Sequence, residues 1–228
     1  DAAGSAEYSK RKGTSMESKV IKFYSKAGSN IVLRAIPGHF ATSHSHINYY
    51  ADMTYLKTRR SEASAVAKAF VQRFPVETVV DTIVCMDGTE VIGAYMAEEL
   101  ERGNFPNHNM HHTVYVVTPE FNFNNQMIFR DNLVPAIKGK NVVLLLATTT
   151  TGLTIGRSMA CIDYYGGKVQ QICSVFSAVS SIDGHSVESI FTTADVPGYQ
   201  AYEAYACPYC KNKQKLDAMV NGYGYSKL

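Results

Sequence analysis

The densest potential chemistry lies at residues 149–154. Thr149, Thr150, Thr151, Gly152 and Thr154 put four hydroxyls and a glycine into one short stretch. Hydroxyls and main-chain N–H groups converging on one point can hold a phosphate dianion, and a helix that starts there adds partial positive charge. The stretch is not a P-loop, because no Gly-Lys-Thr follows it, and it is not a dinucleotide-binding fingerprint. An ordinary strand-to-helix turn uses the same residue types, so both readings stand.

Other residues offer separate chemistry. Asp87, Gly88, Thr89 and Glu90 place two carboxylates around a turn. His44 and His46, two apart in an extended segment, share a face and suit acid–base work, metal ligation or plain exposure. Cys207-Pro208-Tyr209-Cys210 has zinc-knuckle spacing, but a four-ligand site needs a second pair. Cys85, Cys161 and Cys173 lie in apolar elements and read as core. A zinc site would therefore draw on histidines or on a second subunit, and the sequence reading assigns no metal ligands. Redox use is disfavoured, since the pair is not expected to follow a strand and open a helix. His111 and His112 read as the solvated lead-in to a strand. Tyr164 and Tyr165, at a helix end, read as core or interface.

The elements that position these groups follow from apolar periodicity. Residues 142–147 form an unbroken apolar run, right for a strand buried on both faces. Ile155, Met159 and Ile162 then fall on one helical stripe, which Gly166-Gly167 stops. Residues 59–74 carry a second stripe ended by Pro75. The spacing predicts strands at 79–86, 113–118, 168–179 and 186–192, and a helix at 90–102. Short helices are expected at 20–29, 132–138 and 213–220, a small antiparallel piece at 31–55, and a polar, aromatic loop at 119–131. Strands alternating with helices predict an α/β fold with a parallel sheet and crossover helices. In such sheets ligands bind at the carboxyl ends of the strands.

Three stretches resemble one family. Gly38-His39-Phe40 with SHINYYAD at residues 45–52 looks like a hood segment, residues 132–167 match in spacing throughout, and CPYCK at residues 207–211 looks like a C-terminal CPxCK. Over roughly residues 38–211 the chain resembles a type I phosphoribosyltransferase, most closely the orotate phosphoribosyltransferases. The resemblance implies a hood subdomain and a homodimer. It implies binding of phosphoribosyl pyrophosphate or a nucleoside monophosphate, with Mg²⁺ assisting transfer of ribose 5-phosphate to a base nitrogen. Carried over by position, Thr149, Thr150, Thr151, Gly152 and Thr154 hold the 5-phosphate. Asp87, Gly88, Thr89 and Glu90 form the first pyrophosphate loop and a possible Mg²⁺ site. Tyr49 and Tyr50 stack on the base, and Arg130 is the cation of the mobile loop.

Other family positions are changed here. The two acids that grip the ribose hydroxyls fall on Leu146 and Ala147, whose side chains accept no hydrogen bond. The hood lysine falls near Ile36, with Arg34 close by. The Asp-Arg pair after the next strand is replaced by Ser177-Ala178-Val179. Two functions are therefore expected: a divergent transferase of the orotate type, or a non-catalytic sensor or regulator that binds a phosphoribosyl group.

Composition bounds these readings. A formal charge of +2 over 228 residues supplies no field for nucleic acid. No apolar run approaches the roughly 20 residues of a membrane span. Five cysteines, an odd number, fit a reduced cytoplasmic setting better than a disulfide framework. The expected organisation is a tail at 1–19, hood segments at 20–58 and 199–228, and a core at 59–198.

Overall fold

The computed structural model describes residues 16–124 and 126–228. The expected tail lies outside them up to residue 15. Met16–Lys19 is instead a 3-10 turn with Met16 buried, so the ordered hood begins earlier than expected. The expected helix at 20–29 is also replaced. β1 (Ile21–Ser25) and β2 (Gly28–Ala41) form an antiparallel pair, since Ile31, Leu33 and Ala35 alternate into the core with period two. β3 (His46–Asp52) returns antiparallel to β2.

α1 (Thr54–Thr58) leads out of the hood, and α2 (Arg60–Val71) follows it. β4 (Thr82–Cys85), α3 (Glu90–Arg102) and β5 (Tyr115–Val117) come next. The loop expected at 119–131 carries a small hairpin, β6 (Glu120–Phe121) with β7 (Met127–Ile128). β8 (Asn141–Thr149) runs into α4 (Leu153–Tyr164), then β9 (Lys168–Ser177), β10 (Ser181–Ile182) and β11 (His185–Thr192).

The main sheet has the order β10-β11-β9-β8-β4-β5. It is parallel throughout except for β10 at one edge. β8 is central, and its alternation shows why the apolar run was unbroken. Val143, Leu145 and Ala147 enter one core with α2 and α3, while Val142, Leu144 and Leu146 enter the opposite core with Ile155 and Ile162 of α4. The strand is longer than the run, because Thr148 and Thr149 continue it.

The C-terminal segment completes the hood. β12 (Ala201–Tyr202) pairs with β3. α5 (Pro208–Lys211) is a short helix with Cys207 as its N-cap, so the cysteine pair opens a helix, but it follows a 3-10 turn at Ala204–Ala206 rather than a strand. The helix expected at 213–220 is absent; β13 (Ala218–Val220) pairs parallel with β2 and antiparallel with β14 (Tyr225–Lys227). Among the described residues no helix is long and apolar enough to cross a membrane.

One carboxylate secures the end of the sheet away from the strand carboxyl ends. Asp81 is fully buried. It accepts hydrogen bonds from the His108 N–H, the Asn141 N–H (2.8 Å) and Asn141 Nδ2 (2.7 Å). Burial alone would raise its pKa, but these donors outweigh burial and hold it below the usual 3.8. Its folded pKa is depressed, so its contribution is fully present above the unfolded value and is lost as pH falls through the folded one. Asp81→Asn is expected to cost about 1–2 kcal/mol at neutral pH. Denaturant melts from pH 7 to pH 2 should show wild type losing this increment in acid, with the variant's acid limb correspondingly flatter.

Candidate functional site

A cleft opens where β4, β8 and β9 end, under the hood. Its floor is Thr148 to Thr154, its outer wall is Thr42 to Ser45 with Tyr49 to Ala51, and Asp87, Phe176, Tyr199 and the turn at Val220 to Gly222 close it. It holds about 170 Å³, well above the roughly 10–15 Å³ that admits one water.

The floor is built by a change of backbone direction. β8 is extended to Thr149, whose carbonyl accepts from the Ala178 N–H. Gly152 then takes φ +81° and serves as N-cap of α4, with no side chain to cap the helix. A Cβ on Gly152 would lie 2.7 Å from Ile182 Cγ1 and closer still to its Cδ1, so glycine is required by both conformation and space. The first intrahelical donor is the Gly156 N–H, which reaches the Gly152 carbonyl at 3.0 Å. The amides of the preceding turn thus lack intrahelical partners, as at any uncapped helix start.

The hydroxyls of this loop differ in availability. Thr151 and Thr154 are exposed at the floor. Thr150 is half-buried against the Tyr199 hydroxyl. Burial pushes the Tyr199 phenol up to about 12, so it stays neutral. Thr149 differs from expectation. It is buried, and its Oγ1 donates to Ser174 Oγ at 3.0 Å, which donates onward to the Phe176 carbonyl. Its proton is committed to β9.

Asp87 departs most from what sequence spacing suggested. No carboxylate adjoins Leu146 and Ala147 in sequence, and both are buried in the strand. In space, however, β4 and β8 run in register, with Cys85 opposite Leu145. The turn after β4 therefore brings the carboxylate of Asp87, at φ +58°, near the Ala147 N–H. Among the described residues lining the cleft, Asp87 is the acidic one. Burial is the main influence on it and raises its pKa above the usual 3.8; Lys57 and the Ala147 N–H oppose that rise.

Lys57 was not singled out by sequence. It is buried, and its Nζ donates to the Asp87 and Gly222 carbonyls, both at 2.6 Å. Burial lowers its pKa, with Asp87, Glu90 and Asp52 holding it up. A lysine in a five-residue helix shows no periodicity to mark it, so only the tertiary position reveals its role.

Thr89 is buried and donates to the Met86 carbonyl at 2.7 Å, which fixes the turn. Gly88 takes φ +74°. Glu90 is exposed and accepts from Thr118 Oγ1 at 3.0 Å. At this turn a single cleft carboxylate, Asp87, sits beside the buried Lys57 ammonium, whereas hard dications favour several oxygen ligands.

Tyr49 and Tyr50 both border the cleft, but Tyr50 is buried in the hood core, edge-on to Tyr225 with ring centroids 5.5 Å apart. Tyr49 is half-buried. Arg130 is not among the cleft residues. It closes the β6–β7 hairpin by pairing with Glu120, at 2.9 Å through Nε and 2.7 Å through Nη2. The expected pairing of His44 with His46 is also corrected. His44 lies in the exposed turn before β3 and borders the cleft, whereas His46 lies on β3 with its Nδ1 3.1 Å from His39 Nε2. His111 and His112 are exposed, and Cys85 and Cys173 are core, as expected; burial pushes the Cys85 thiol up to about 12.

No protein-family model matches the chain, and no curated protein matches it. Solved structures similar to it include an adenine phosphoribosyltransferase of Thermoanaerobacter pseudethanolicus, at 15% identity over 78% of this chain and 97% of that one, with a TM-score of 0.48. An orotate phosphoribosyltransferase of Aeropyrum pernix is 18% identical over 71% of this chain and 89% of that one, also with a TM-score of 0.48. The orotate phosphoribosyltransferase of Mycobacterium tuberculosis is 13% identical over 72% and 93%, with a TM-score of 0.46. At these identities the likeness concerns the fold alone.

Proposed function

We propose that the cleft binds a 5-phosphorylated ribose, as a nucleoside monophosphate or phosphoribosyl pyrophosphate, and that it holds this ligand without efficient turnover. The observation that carries the reading is the uncapped start of α4, opening into the cleft beside the exposed hydroxyls of Thr151 and Thr154. A phosphate monoester seated there receives main-chain N–H donors, hydroxyl donors and the helix dipole together. Leu146 and Ala147 offer no grip on the ribose hydroxyls. The acidic Asp87 of the turn after β4 disfavours charge gathering on a leaving pyrophosphate at that side, and the neighbouring Lys57 ammonium is committed to two carbonyls.

A second reading, slow transfer to a base, is favoured by one observation: the Asp87 carboxylate stands beside Ala147. There it can accept from a ribose hydroxyl in place of the missing acids. Incubation with phosphoribosyl pyrophosphate, Mg²⁺ and a panel of bases separates the two readings. Pyrophosphate release dependent on one base supports transfer and removes the binding-only reading.

A nucleoside monophosphate is expected to raise the melting temperature of the wild-type chain. The double change Thr150→Val, Thr151→Val removes two hydroxyls while keeping branched side chains of similar shape, and is expected to abolish that rise. A rise that survives the double change would place the phosphate elsewhere.

A further inference from the structure

The fold brings together four side chains that the phosphate cleft does not use. His39 and His46 come from β2 and β3, and Cys207 and Cys210 from the segment around α5. One potential ligand atom from each lies within 4.8 Å of all the others. His39 Nε2 is 3.1 Å from His46 Nδ1, 3.4 Å from Cys207 Sγ and 3.7 Å from Cys210 Sγ. Cys210 Sγ is 3.3 Å from His46 Nδ1.

A tetrahedron built with ordinary zinc bond lengths has edges of about 3.3 Å between nitrogens, about 3.6 Å between nitrogen and sulfur, and about 3.8 Å between sulfurs. The four separations given lie close to those edges, and the other two, from Cys207 to Cys210 and to His46, are no longer than 4.8 Å. We infer that these four atoms form a structural Zn²⁺ site, with two thiolates and two neutral imidazoles. The inference goes beyond the proposed phosphate-binding function and does not depend on it.

Three features of the surroundings support a metal. His39 is fully buried, and its Nδ1 faces the carbonyls of Gln214 and Lys215 at 3.1 and 3.3 Å. Those acceptors require Nδ1–H, which leaves the Nε2 lone pair aimed into the cluster, the arrangement outer-shell carbonyls impose on a metal-binding histidine. The thiolate and imidazole set is that of structural zinc rather than of a hard cation. Two thiolates also neutralise one Zn²⁺, so the completed site carries no net charge into a region where Cys207 and His39 are wholly shielded from solvent.

The position gives the site a consequence. Thr42 to Ser45, which form the outer wall of the cleft, are the turn between the two histidine ligands. The cysteines lie in the segment that leads to the Val220 to Gly222 wall. A zinc ion therefore ties both walls to each other.

The full chain, purified under reducing conditions, is expected to carry one zinc per chain by elemental analysis. Replacing that zinc with Co²⁺ should give the intense visible bands of tetrahedral thiolate coordination. Cys210 is exposed, so Cys210→Ser disturbs packing least, and it should lose the metal. His46→Ala should do the same, while Cys161→Ser, outside the cluster, should retain it. Chelation of the wild-type protein should lower its melting temperature, and added Zn²⁺ should restore it. A chain isolated without zinc that gives no Co²⁺ bands and no thermal response to Zn²⁺ overturns the site. Full zinc content in both Cys210→Ser and His46→Ala overturns this ligand set. Either result leaves the phosphate assay unaffected.

Discussion

Lys57→Met is expected to lower stability at neutral pH by about 3–5 kcal/mol, because it removes two hydrogen bonds from a buried charged donor, each worth roughly 1.5–3 kcal/mol. The methionine keeps the length of the side chain but removes both 2.6 Å hydrogen bonds, so the Asp87 and Gly222 carbonyls lose their donor. The half-buried Asp87 carboxylate also loses its nearest positive charge. A domain of this size moves by roughly 2–4 °C per kcal/mol, so the melting temperature should fall by about 6–20 °C.

The pH dependence identifies the cause. Asp87 already has a folded pKa above the unfolded value because of burial, and without Lys57 it rises further. A group with a raised folded pKa contributes stability that is present below the unfolded value and lost as pH rises through the folded one. The gap between Lys57→Met and wild type should therefore be smallest near pH 4 and widen toward neutrality. Adding Asp87→Asn to Lys57→Met should recover part of the loss. A gap independent of pH, with no recovery in the double variant, would mean that the two lost hydrogen bonds and packing, not the Asp87 charge, account for the effect.

Gly152→Ala is expected to be the next most damaging change. An L-residue at φ +81° costs about 1–2 kcal/mol, and overpacking against Ile182 adds about 1–3 kcal/mol. Relief of the clash by Ile182→Ala should recover only the second part, because backbone strain remains. Chemical denaturation of the two single variants and the double variant measures this division. The nucleoside monophosphate response should disappear in Gly152→Ala even where the protein stays folded, since the turn that aims the amides is displaced. Retention of the full response would show that the turn does not hold the phosphate.

Local pattern made the core of the fold legible. The unbroken run of β8, the stripe of α4 and the glycines that stop it are single-element signals, and each element formed where expected. The hood was harder to read. Within residues 20–29 and 213–220, the short segments Ile21–Ser25 and Ala218–Val220 pair with β2, a long-range contact that local pattern does not reveal. The phosphate loop was visible because its residues are contiguous. Asp87 was visible as a turn acid, but its place beside Ala147 depends on the register of β4 against β8. Lys57 and Asp81 left no local trace, because each acts on backbone from distant segments. Cys207 and Cys210 announced half of a ligand set. The other half was mispaired: His44 and His46 shared a sequence pattern, while the fold matches His46 with His39 across the β2–β3 hairpin.

The central claim is that the start of α4 receives a phosphate monoester. Amide resonances of the chain titrated with ribose 5-phosphate test it most directly. The account predicts saturable shifts centred on the amides of Thr151, Gly152, Leu153, Thr154 and Ile155, with smaller ones in the hood turn at Thr42 to Ser45. Binding whose largest shifts fall outside the cleft, or no saturable shift at those five amides, would contradict it.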